Sequence, residues 1–193
     1  MKVVSVNLYN INELSESIKN KLIEEEKEMI INRNFEVLKE ILEEMLEEKN
    51  IYFKNISYSL GYCQGDGVNF TSNMVLDFEK LESKKNLNPF EEYLFKNLDE
   101  KNYNFIIDRL KEGYNLKIVK HNYHYEHYNT THFEGDLEEF LNDEILKEFK
   151  FIYNNICYEL EKEGYKCYEV SDEEALESLL EYGEVFNEYG VIL

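Results

Sequence analysis

The sequence predicts an α+β fold: an antiparallel sheet built from hairpins, packed against several helices. Residues 1–193 are read as a single domain with an N-terminal helical segment at about 11–50. Three observations carry this. Apolar residues recur at helical spacing over 12–49. Two later stretches switch to alternation around turn residues. The order of the elements gives hairpins rather than strand–helix–strand units. With 43% hydrophobic and 15% aromatic residues there is enough apolar material for a core, so the acidic charge does not signal disorder.

The elements follow in order. Residues 2–9 alternate loosely and predict a short strand. Leu14, Ile18 and Leu22 recur at i+4 in a helix over 12–31, with Met29 and Ile30 following. In 33–49 the stripe is Phe35, Leu38, Leu42 and Met45, with Glu36, Glu40, Glu43, Glu44 and Glu47 facing elsewhere. The two stretches make a helical hairpin or one long bent helix. Over 54–77 Ile56, Tyr58, Leu60 and Tyr62 alternate with small residues, then Gln64-Gly65-Asp66-Gly67 precedes Val68 and Phe70, which predicts a β-hairpin. Asn88 before Pro89 reads as an N-cap for a helix at 89–97. Phe105, Ile106 and Leu110 mark another at about 100–112, stopped by Gly113. A second hairpin is expected from 115–126 and 130–137, turning near His127-Tyr128-Asn129. A long helix over 138–163 carries Phe149, Ile152, Ile156 and Leu160 and ends at Gly164. Residues 165–170 suggest a short strand. Ser171 and Glu174 form a capping box for a helix at 172–182, ended by Gly183, and the last residues suggest a small terminal hairpin or clasp.

Two segments bear chemistry. At the tip of the first hairpin, Gly65 and Gly67 permit positive φ around Asp66. Asp66 either shapes the turn through local amides, or joins Gln64 in presenting polar contacts to a ligand. The Walker spacing and its lysine are missing, so this is no phosphate loop. The second segment runs from His121 to His132 and holds all four histidines. With a turn at Tyr128, His124 faces His132 beside Glu126, a pattern suited to a two-histidine metal site or an acid/base pair. His121 and His127 then take the other face. The simpler reading is a strand that packs its rings on one face and exposes its polar groups on the other. Pairing depends on register, and a slip of one residue separates it.

Cys63, Cys157 and Cys167 are odd in number and form neither a CxxC pair nor a zinc framework, which suits reduced thiols in a cytoplasmic setting. Cys63 makes a poor nucleophile because its neighbouring charge is Asp66. The N-terminal residues show no apolar signal core, and no run approaches the roughly 18 apolar residues that span a bilayer. No cofactor is implied.

A formal net charge of −20 argues against direct binding to nucleic acid or to anionic membranes, and favours basic partners. The charge is uneven. Residues 51–133 hold 11 acids and 10 bases, whereas 134–193 hold 18 acids and 4 bases. Glu134, Asp136, Glu138, Glu139, Asp143 and Glu144 form the densest run. Such a run is either a solubilising surface or a mimic of a nucleic-acid backbone.

The stretch YSLGYCQGDGVNFT, residues 58–71, carries a Y-x-L-x-Y-C-Q-G-D-G pattern and resembles a motif in small acidic proteins encoded by bacteriophages and bacterial mobile elements. The block SDEEALESLLEYGEVFNEYG is similar to the C-terminal part of that family, one residue shorter and with Gly183 where the family often has Asn. Together they cover about a fifth of the chain. The resemblance implies a mobile-element context and carries no established activity.

The expectation is an acidic phage-type accessory protein. It would bind and inhibit a basic, nucleic-acid-handling host protein such as a nuclease or defence effector, as anti-CRISPR and anti-restriction inhibitors do. Gln64, Asp66 and the six acids would make the contacts. The alternative is a small hydrolase or metal-dependent enzyme using Asp66, His124 and His132, with Gln64 and Tyr62 beside them.

Overall fold

The computed structural model describes residues 7–63, 65–121, 124–181, 185–187 and 189–191. Most of the strand expected at 2–9 lies outside them, as do Gln64 and Gly183. The elements are α1 (Glu16–Glu48), β1 (Asn55–Ser59), β2 (Gly67–Thr71), α2 (Phe78–Ser83), α3 (Pro89–Asn97), α4 (Glu100–Lys111), β3 (Lys117–Lys120), β4 (Thr131–Glu134), α5 (Asp143–Tyr165) and α6 (Asp172–Glu181). The chain groups into two compact units, Met1–Leu38 with Lys166–Leu193, and Lys39–Tyr165.

In the first unit Ile11, Leu14, Leu22 and Ile23 pack with Ala175, Leu179 and Phe186. Tyr9 and Phe186 exchange two backbone hydrogen bonds of 2.9 Å, tying the two ends of the unit together. Ser171 and Glu174 cap α6 reciprocally, as expected from their spacing. Ahead of it, residues 166–168 form a 3₁₀ turn in place of the expected strand. Cys167 is buried there, and the Tyr168 ring meets Phe35 edge-on at 4.9 Å.

The second unit is the α+β body. β1 and β2 form an antiparallel hairpin in which Ile56 stands opposite Phe70 and Tyr58 opposite Val68. β3 and β4 form a second. A bridge joins them: Ser72 donates to Ile118 at 3.0 Å and Ile118 donates back at 2.9 Å. α5 covers β2, and its Tyr153 hydroxyl donates to the Phe70 carbonyl at 3.0 Å and accepts the Phe70 N–H at 3.2 Å. Phe90, Phe149 and Tyr153 are each at most 1% exposed, and Phe133 meets all three rings. Each fully buried aromatic contributes roughly 2–3 kcal/mol of apolar burial.

Residues 16–48 form one long helix rather than a helical hairpin. Its fully buried stripe is Leu38, Leu42 and Leu46, with Phe35 and Met45 half-buried beside it. Asn88 caps α3 and bonds Glu91 reciprocally. The short α2 escaped the periodicity because it is one turn and a half, fixed by the Asp77 cap. α5 begins at Asp143 rather than 138: residues 136–140 are a 3₁₀ turn, and Asn142 caps the true start through the Ile145 N–H at 2.9 Å. Gly164 does not end α5. It is buried inside the last turn, where packing overrides its weak helix propensity.

Candidate functional site

The tip of the first hairpin is built by Asp66. Its carboxylate accepts the Ser59 hydroxyl at 2.7 Å and the Cys63 N–H at 2.6 Å. The Cys63 amide, then Ser59, hold its pKa below the ordinary carboxylate range against a small opposing effect of burial. Tyr62 at φ +57° and Gly65 at φ +98° turn the chain around it. Both carboxylate oxygens are therefore occupied by the turn itself, so Asp66 shapes the tip. Gln64 lies outside the described residues.

Gly61, Tyr62 and Cys63 stay exposed, whereas the Gly65–Gly67 side of the tip is packed. The Gly65 carbonyl accepts the Glu126 N–H at 3.3 Å, and Gly65 lies so close to the Tyr125 ring that a Cβ there would come within 2.2 Å of Cδ1. Gly67 sits against the backbone of Glu126 and His127 and near the Glu161 carboxylate. Asn69 donates to the Glu126 carbonyl and side chain, and Lys120 pairs with the same carboxylate at 2.5 Å. Burial raises the Glu161 carboxyl, His127 draws it back, and Asp66 adds to the rise. The first hairpin is thus clamped onto the connection between β3 and β4.

That clamp decides where the histidines go. The register sets His132 opposite Val119, and the ring facing it is His121, with the two Nδ1 atoms 2.9 Å apart. The expected partnership of His124 with His132 beside Glu126 is replaced by this pair. Glu126 is taken by Asn69 and Lys120, and His124 lies in the connection outside the strands. The cause is length. The expected turn was three residues, whereas ten residues, 121–130, separate the paired strand ends and close with a 3₁₀ turn at Tyr128–Thr130. His127 spends its Nδ1 on the Asn129 N–H at 3.2 Å. Among the described residues no three His, Cys, Asp or Glu side chains gather in a way suited to a metal ion. A cleft of about 490 Å³ is lined by Glu47, Tyr52 and Lys80 among others, and by none of Asp66, His124 or His132.

The acidic run is presented differently. Leu137, Leu141 and Ile145 are buried at four-residue steps. Glu134, Asp136, Glu138, Glu139, Asp143 and Glu144 lie between and before them, all exposed. Glu134 approaches His132 at 3.6 Å. Among the described residues the other five form no ion pair. The acids were legible in the sequence as one dense run; the 3₁₀ turn at 136–140 that holds three of them was not.

No helix among the described residues is long and apolar enough to cross a membrane. Comparison with known protein families, with curated proteins and with solved structures finds no match to this chain.

Proposed function

We propose that this chain is a phage-type accessory protein that works in the cytoplasm by binding. Its acidic edge, Glu134 to Glu144, docks on the basic surface of a nucleic-acid-handling host protein such as a nuclease or defence effector, and blocks that surface in the manner of anti-CRISPR and anti-restriction inhibitors. One observation carries the reading: six exposed carboxylates are held along buried anchors, five of them without an ion-pair partner among the described residues. Their mutual repulsion works against the fold, and a cationic partner relieves it. The motif at 58–71 supports a mobile-element setting. Each oxygen of Asp66 accepts one hydrogen bond within the turn, so in this reading the acidic run carries the contact and Asp66 shapes the tip beside it. The hydrolase alternative loses its support at the same place, since Asp66 is engaged and His132 is paired with His121.

The test is capture from a host lysate, with mass spectrometry, using the wild-type chain and a variant with all six acids changed to Gln or Asn. The wild type should retain a basic nucleic-acid-binding protein whose binding weakens steeply with salt, and the variant should lose it by ~20-fold or more, at a few tenths to 1 kcal/mol per charge. A partner held equally by both chains, or one indifferent to salt, would overturn the reading.

A further inference from the structure

His121 follows β3 directly and His132 lies in β4. Their rings meet on the surface, with centroids 5.0 Å apart and planes inclined by 53°. We propose that the two Nδ1 atoms form a surface site for a late first-row divalent metal ion, Cu²⁺ or Ni²⁺ before Zn²⁺, completed by water.

The backbone places the two residues side by side. The His121 N–H donates to the Thr130 carbonyl at 3.0 Å. Next to it, Lys120 stands opposite Thr131 in the ladder. The Lys150 ammonium anchors that corner from α5, donating to the Thr131 carbonyl at 2.8 Å and the Tyr128 carbonyl at 3.1 Å. The nitrogens are therefore held together by the fold, and both side chains stay open to solvent.

The spacing selects the geometry. Two nitrogens 2.9 Å apart, each about 2.05 Å from a metal, subtend about 90° at it. That is the cis angle of a square-planar or octahedral sphere, which Cu²⁺ and Ni²⁺ adopt with imidazole. A tetrahedral Zn²⁺ asks for about 3.3 Å between the nitrogens, so the rings must open by a few tenths of an ångström.

The far side of His132 fits the same role. Glu134 Oε2 stands 3.6 Å from His132 Nε2. A carboxylate there favours the hydrogen on Nε2 and leaves the lone pair on Nδ1, the arrangement that orients and strengthens metal-bound imidazoles. Without metal, one hydrogen lies between the two Nδ1 atoms. A bound metal takes its place, and that hydrogen moves through solvent to the Nε2 of its own ring, so both Nδ1 lone pairs face the ion.

The test titrates the untagged full chain with Cu²⁺, Ni²⁺ and Zn²⁺ by calorimetry. One ion should bind per chain, most tightly for Cu²⁺. His121→Ala and His132→Ala should each abolish saturable binding at one equivalent, and Glu134→Gln should weaken it by ~10-fold. Because an alanine variant can disturb the hairpin, substoichiometric Cu²⁺ is also added to the wild type and followed by NMR. Paramagnetic broadening should centre on the two imidazoles and the amides of 119–121 and 131–134. No binding of any of the three ions, retention of affinity by His121→Ala, or broadening centred on the acidic edge or the amino terminus would overturn the proposal.

Discussion

Asn69 and Glu126, 57 residues apart in the chain, are joined twice: the Asn69 amide donates to the Glu126 carbonyl at 2.7 Å and to its carboxylate at 2.9 Å. Asn69 is 1% exposed, and the Lys120 side chain that shares the carboxylate is 8% exposed. Asn69→Leu should destabilise the chain by about 2 kcal/mol, since it strands the Glu126 carbonyl and removes one of the two donors to Glu126 Oε2. Lys120→Met should lower it by about 2–3 kcal/mol, because one partner of a mostly buried pair is lost. Both act on Glu126, so the double variant should fall short of the sum. Urea unfolding reads all three, and strictly additive losses would contradict the shared contact.

Gly65 at φ +98° leaves no room for a side chain against Tyr125. Gly65→Ala should destabilise by about 2 kcal/mol or more, from left-handed strain together with the clash. In a Tyr125→Ala background the same change should cost only the strain, about 1 kcal/mol. An equal penalty in both backgrounds would show that the ring is not the obstacle.

Glu91 is fully buried, bonded to the N–H groups of Asp77 and Asn88 at 2.8 Å each. Burial outweighs those bonds and pushes its carboxyl up to about 7. The folded chain therefore keeps a proton that the unfolded chain releases from about pH 4.5. This contribution to stability is complete below about 4.5 and is lost as pH rises to about 7, at up to ~1.4 kcal/mol per unit. Glu91→Gln cannot titrate and loses one acceptor. The margin of wild type over this variant should narrow between pH 4.5 and 7, while general charge repulsion cancels in the comparison. A margin independent of pH would refute the assignment.

Cys63 is exposed, whereas Cys157 and Cys167 are buried, and burial pushes the Cys157 thiol up to about 12. A thiol reagent should titrate one cysteine rapidly in the native chain and three in urea. Two or more fast thiols without denaturant would mean that the core around Cys157 or Cys167 opens readily.

Removing the Asp66 carboxylate should loosen the tip and not the ladder. Asp66→Ala takes away both acceptors of the turn, so the Cys63 amide should exchange with solvent much faster, while Phe70, held by Tyr153, stays protected. Equal acceleration at both amides would make Asp66 a global rather than a local support.

Local chemistry made several elements legible. Asn88 with Glu91, Ser171 with Glu174, and Gly65-Asp66-Gly67 each carry within a few residues the hydrogen bonds that define a cap or a turn, and each forms where its spacing predicts. The hairpins, and hence the α+β class, follow from the same short-range signals. Gly164 and the stretch after it were misread because a glycine signals a helix end only where no burial holds the helix together.

The sequence by itself determined the caps at Asn88 and Ser171, the turn at Gly65–Gly67 and the dense acidic run, because each depends on residues close together in the chain. Only the tertiary structure decided which histidine meets His132. That follows from the clamp of Gly65–Asn69 onto Tyr125–His127, a long-range contact that fixes the connection between β3 and β4, and with it the register. Alternation along a strand names the residues on each face, but not which of them stand opposite one another.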